Sequence, residues 1–192
     1  YCGLNGVGPQ QPERGSWLSK EEGDMSSMQT GNLTKVDFFT GTHRLTGEVE
    51  TGPRPLVDRL NDTSQSYLSV YNVYASRLSE PAEIVTHAPV AFLSKANMNL
   101  VIVPMRETRT GEPSRYAAHE YTVVVTLSGF EVRGKFLGPH RVDLRTFSPS
   151  ALDPFVTLVE TSAQMVDLPE AVFQGEAILF NRARMECLYL LE

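Results

Sequence analysis

FLSKANMNLVIVP, residues 92–104, runs apolar, then small and basic, then apolar again, the pattern of two short strands around a tight turn. LFNRARMECLYLL, residues 179–191, has the same build. At an offset of 87, Lys95 faces Arg182, Ala96 faces Ala183 and Met98 faces Met185. The apolar run Leu100–Val103 then faces Cys187–Leu190. Moving towards the N-terminus, HRLTGEVETGP meets FEVRGKFLGP, so that Gly47 faces Gly134, and Gly52-Pro53 faces Gly138-Pro139. Val57-Asp58 meets Val142-Asp143, and YLSVYNVYA (67–75) meets FVTLVETSA (155–163), both alternating like half-buried strands. Offsets of 85 to 88 keep four blocks in one order, which predicts a tandem duplication of a domain of roughly 70 residues.

The division that follows is an extended tail over 1–35, a first β-barrel repeat over 36–104, a linker over 105–119 and a second β-barrel repeat over 120–192. In the first repeat, VDFFTGTHRLTGEVET predicts a hairpin or one long bent strand, with Gly47 marking a bend. LVDRLND predicts a helical turn or a loop, and strands are expected at 66–77, 82–87, 90–95 and 98–103. The second repeat predicts strands at 121–127, 130–137, 154–162, 176–181 and 185–191. No window of a dozen residues has a clean 3.6-residue period, so the fold class is all-β: two tandem small β-barrels with an extended N-terminal tail.

The 192 residues are 41% hydrophobic and 21% charged, an ordinary globular composition. No apolar run is long enough for a membrane-spanning helix, and the given start has no basic-then-apolar signal, so the expected compartment is the cytoplasm. Cys2 and Cys187 offer no disulfide framework, and Cys187 in its alternating strand is expected to pack as a small core residue. The net charge is −6, with 5 basic against 7 acidic groups in the first repeat and 6 against 10 in the second. Two acidic domains lack the broad positive surface that phosphate backbones require, which argues against nucleic acid as the main partner.

The tail is rich in Gly, Ser, Gln and Pro and cannot bury a core of its own. Trp17, Leu18, Met25 and Met28 are its apolar anchors, the residues by which it would dock on a neighbouring protein or on the barrels. His43, His87, His119 and His140 stand apart from any metal-ligand spacing, and there is no nucleophile elbow or phosphate loop. Glu48 and Glu50 share a strand face, as ordinary solvent-facing charges do. No enzyme activity, cofactor or metal is therefore expected. RPLVDR and GPHRVDLR put Arg54 and Arg141 beside aspartates, a pattern that suits either a phosphate-bearing signal molecule or a loop pinned by its own ion pair.

RLTGEVE, VDRLN, YLSVYNV and LSKANMNLVIV, in this order, resemble the Sm-like barrel, and also a group of uncharacterised bacterial domains with RLTGEV, an Asp-x-Leu-Asn step and a Lys before the last strand. The resemblance covers 36–104 well and 120–191 more loosely. It implies small β-barrels that associate through edge strands, and single-stranded RNA held by residues at the positions of Asp58, Asn61, Lys95 and Arg182. The sequence departs from the pattern: Lys95-Ala96 and Arg182-Ala183 replace an Arg-Gly step, Asp58 and Asn61 lie one residue closer together, and Thr146 stands near the second asparagine position. The expected function is a non-enzymatic scaffold or accessory subunit of a larger protein assembly, with a membrane complex of respiration or photosynthesis as a candidate host. Its contacts would be the tail and the barrel edges.

Overall fold

The computed structural model describes residues 33–104, 119–138 and 153–191. Trp17, Leu18, Met25, Met28, Arg141, His140 and most of the expected linker lie outside the described residues.

The expected hairpin forms as β1 (Leu33–Phe39) and β2 (His43–Glu50), its turn tied by Thr40 Oγ1, which accepts from the backbone N–H of Thr42 and His43. LVDRLN closes into a short helix, α1 (Leu56–Asn61), entered through Pro55, and it buries Leu56 and Leu60, which share a face at i and i+4. β3 (Tyr67–Arg77) and β4 (Glu80–Ser94) follow, then a 3₁₀ turn at Lys95–Asn97 and β5 (Leu100–Val103). The two strands expected at 82–87 and 90–95 are one. Pro89 does not break β4 because, among the described residues, β4 pairs only with β3, so the proline lies on an end strand of the sheet.

The second half contains β6 (His119–Leu127), β7 (Phe130–Gly138), β8 (Phe155–Met165), β9 (Val172–Asn181), a 3₁₀ turn at Arg182–Arg184 and β10 (Met185–Leu191). All ten strands of the described residues join one open antiparallel sheet in the order β10-β6-β7-β8-β9-β5-β1-β2-β3-β4. All-β holds, and the strands of both halves are joined in a single continuous ladder. Within it, β5-β1-β2-β3-β4 and β10-β6-β7-β8-β9 follow the same sequence of neighbours.

The halves also bend at matched places. The register between β2 and β3 slips between Thr46 and Glu48, and that between β7 and β8 between Arg133 and Lys135. Asn72 and Glu160, 88 residues apart, are the described non-glycine residues with positive φ, at 50° and 47°. Each slip is a β-bulge, in which an extra residue increases the local bend. Gly47 and Gly134 sit inside these bulges because a Cβ would lie 2.6 Å from Val70 Cγ1 in one case and 2.7 Å from Thr161 Cβ in the other.

Strand alternation feeds two cores. One contains Val36, Phe38, Val49, Leu60, Leu68, Val70 and Val101, together with Phe155 and Leu179 from the second half. The other contains Val123, Val125, Phe130, Leu158, Ile178 and Phe180, together with Phe39, Leu100 and Ile102 from the first half. β5 thus sends Leu100 and Ile102 to one face and Val101 to the other, so LVIV is unbroken because both of its faces are buried. Each such side chain contributes about 1.5–3 kcal/mol of burial. Phe39 adds ring contacts across the halves, 5.4 Å from Phe130 and 4.7 Å from Phe173 between centroids.

Candidate functional site

The seam where β5 meets β9 is the most elaborated contact between the halves. Leu100, Val101, Ile102 and Val103 lie opposite Phe180, Leu179, Ile178 and Ala177. Polar groups lock its ends. Asn181 donates its backbone N–H to Asn99 O at 2.9 Å, and its side-chain amide donates to Met98 O at 3.0 Å and Lys95 O at 3.3 Å. Arg184 donates from Nε and Nη2 to Ala96 O at 2.9 and 2.7 Å, and from Nη2 to Asn97 Oδ1 at 3.1 Å. Gly175 borders the seam because a Cβ there would enter the shell of the Val103 carbonyl and lie 2.6 Å from Ile102 Cγ2.

Asn61 belongs to this seam. Its Oδ1 accepts from the N–H of Phe155 at 2.8 Å and its Nδ2 donates to the carbonyl of the same residue at 3.2 Å, so α1 is clipped to β8. Lys95 lies close by and is buried. Its Nζ donates to Arg59 O at 2.6 Å and Asp62 O at 2.8 Å, which ties the turn after β4 to the end of α1. Burial pushes the Lys95 ammonium below the usual lysine value, and the charge of Asp62 opposes that shift. The Asp62 carboxylate is held below its usual value by the hydroxyl and N–H of Ser64, at 2.6 and 3.0 Å.

Arg182 is buried in the matching turn of the second half, where desolvation lowers its tendency to hold a proton and the charge of Asp153 opposes this. Asp58 is exposed on the first turn of α1. Arg54 is exposed as well and, with Glu50, Thr51 and Arg59, lines a shallow depression of about 300 Å³ open to solvent. The structure therefore brings Asn61 and Lys95 together, with Arg59 and Asp62, and places Arg182 in the corresponding turn of the other half. It gives Asn61 and Lys95 backbone partners within the protein.

Glu48 accepts from Asn72 Nδ2 at 2.8 Å. At the matching bulge, Lys135 binds Glu120 and Glu160 at 2.8 and 2.7 Å, and both carboxylates raise its pKa above the usual lysine value. Among the described residues no three of His, Cys, Asp and Glu gather as metal ligands, and no helix is long and apolar enough to cross a membrane.

The sheet ends are built differently from the seam. Among the described residues β4 and β10 each pair on one side only, and both carry large exposed apolar side chains: Ile84, Val85, Val90 and Phe92 on β4, and Tyr189, Leu190 and Leu191 on β10. Cys187, expected in the core, is half-buried because β10 is an edge. Sequence reading missed the locking roles of Asn181 and Arg184, although both stand in the echoed stretch, and it missed the exposure of Phe92. No family model, curated protein or solved structure matches the chain.

Proposed function

We propose that this chain is a non-enzymatic scaffold or accessory subunit, a tandem of two Sm-like small barrels, which binds protein strands at the two free edges of its sheet. The observation that carries this reading is the pair of end strands, each with one neighbour among the described residues and each bearing exposed large apolar side chains. An edge strand offers a row of unpaired backbone donors and acceptors, and natural sheets usually protect such rows with charge or short length. β4 is 15 residues long and its exposed positions include Ile84, Val90 and Phe92. A strand added there gains backbone hydrogen bonds along its length and pockets for alternate side chains.

The tandem reading draws support from the repeated order of neighbours, the paired bulges at Asn72 and Glu160, and the buried base, Lys95 or Arg182, in each 3₁₀ turn. The RNA-binding alternative draws less: Asn61 and Lys95, its expected contacts, are engaged with backbone groups of the protein itself. The partner-binding role of Trp17, Leu18, Met25 and Met28 remains part of the proposal.

The test is affinity purification of the full chain from its own cells beside the edge variant Phe92→Glu. The expected result is a defined protein partner that the variant loses. Recovery of RNA that salt releases and Lys95→Ala abolishes, with no protein partner, would overturn the scaffold reading.

A further inference from the structure

The sheet face formed by β1, β2 and β3 holds an open pocket of about 350 Å³, walled on one side by the start of β4. Its lining includes Lys35, Arg44, Thr46, Tyr74, Pro81 and Ile84. Among the described residues that lining has two cations and no carboxylate, in a chain whose net charge is −6.

The second half supplies an internal comparison. What the fold requires stands in both halves: Gly47 and Gly134 sit in the two bulges, and Ser76 Oγ donates to Pro81 O at 3.1 Å as Gln164 Nε2 donates to Pro169 O at 2.7 Å. The polar lining of the pocket stands in one half only. The strand registers match Lys35, Arg44 and Tyr74 to Thr122, Glu131 and Ser162. At Arg44 the charge is reversed, and Glu131 pairs instead with Arg133 at 2.9 Å. The same ladder is thus built without the lysine, the arginine or the tyrosine, so these side chains serve something other than the fold.

They are also held in position. Arg44 Nη2 donates to Asp37 Oδ2 at 2.9 Å, and Asp37 accepts from Thr46 Oγ1 as well. The guanidinium lies 5.2 Å from the ring centroid of Phe173 and 6.0 Å from that of Phe39. Its Nε is buried with no acceptor among the described residues. Tyr74, 43% exposed, is stacked on His87 with the ring centroids 4.5 Å apart. Lys35 is exposed and forms no ion pair among the described residues, while Glu48, opposite it across β1 and β2, is engaged by Asn72 at 2.8 Å.

We propose that this pocket binds a small organic monoanion, a carboxylate carried on a flat apolar body. The charges set the class: Lys35 and Arg44 bring two positive charges and Asp37 offsets one, so a single charge is left to be met. A carboxylate meets it, and its two oxygens suit the planar fork of a guanidinium. A phosphate monoester, close to doubly charged, would be left partly unmatched. Tyr74, Pro81 and Ile84 give the body an apolar wall to lie on. The pocket opens on the sheet face rather than along an edge, so this site is independent of strand binding at the sheet ends.

The experiment is titration of the isotope-labelled full chain, followed by amide chemical shifts, with benzoate, benzyl alcohol, acetate and phenyl phosphate. Benzoate is expected to shift the β1–β3 amides around the pocket saturably, with a Kd of about 1 mM or below. Benzyl alcohol, which lacks the charge, and acetate, which lacks the ring, are each expected to bind about tenfold more weakly. Phenyl phosphate is expected to bind more weakly than benzoate. Lys35→Thr and Tyr74→Ser introduce the residues that the second half already holds at these places, so the fold keeps them, as circular dichroism will verify. Each is expected to weaken benzoate about fivefold or more, while Arg133→Ala, at the place in the second half that matches Thr46, leaves it unchanged. No saturable shift up to about 10 mM benzoate, ten times the expected Kd, would overturn the proposal. So would Lys35→Thr or Tyr74→Ser binding benzoate as well as wild type, or benzyl alcohol or acetate binding as well as benzoate. Tighter binding of phenyl phosphate would overturn the carboxylate assignment, because a second unmatched positive charge would then face the pocket.

Discussion

Replacing Lys95 with Met separates a structural lysine from a ligand-binding one. Met fills nearly the same volume but leaves Arg59 O and Asp62 O without the donor that now lies 2.6 and 2.8 Å away. Hydrogen bonds to a charged group contribute about 1.5–3 kcal/mol each, against the cost of desolvating the ammonium. That cost is visible in the lowered proton affinity of Lys95. Arg59 and Asp62 are only half-buried, so water can reach part of what the ammonium vacates. A net loss of about 2–4 kcal/mol results. With a urea slope of about 1–3 kcal/mol/M, the midpoint of unfolding falls by about 1–2 M at unchanged slope. The assay is equilibrium urea unfolding followed by far-UV circular dichroism. A Lys95→Met variant that is as stable as wild type would refute the reasoning, since Lys95 would then hold nothing in the folded chain.

Asn61→Ala removes both bonds to Phe155 and is expected to cost about 2–3 kcal/mol, measured the same way. Gly175→Ala forces a Cβ against the Val103 carbonyl and Ile102, so thermal unfolding is expected to show a loss of about 1–3 kcal/mol, while Gly41→Ala, where nothing lies within 4 Å, stays near wild type. Asp62 has a native pKa below its ordinary value, so its contribution is present above that value and disappears as pH falls through the native one. Asp62→Asn should therefore lie below wild type in urea midpoint at about pH 6 and converge with it towards about pH 2. Arg184→Ala, which releases Ala96 O and Asn97, should increase hydrogen exchange at the Lys95–Asn97 turn before it affects β7.

The strands were legible because a period of two leaves its mark on every residue, and the bends because Gly47 and Gly134 echo each other in place. Pro89 misled the reading of β4, since nothing local says that a strand lies at an edge. LVIV was legible as an apolar run, but what covers its two faces depended on placement 80 residues away, which no local pattern carries. Asn61 and Lys95 looked like ligand residues for a physical reason: polar side chains on turns are what either task requires. Only geometry distinguishes an amide that reads a base from one that clips Phe155.

The crossed cores bear on how the molecule could be divided. Phe155 and Leu179 complete the core of the first half, while Phe39, Leu100 and Ile102 complete that of the second. Cutting the chain anywhere between Pro104 and His119 would sever one peptide bond and leave every one of these contacts in place. The halves would behave as complementing fragments, each a mould for the other, and their reassociation would report on the seam alone. Inheritance is constrained in the same way: a substitution at Leu179 is judged by the packing of Val36 and Val101, so the two halves can drift in sequence only as a matched pair.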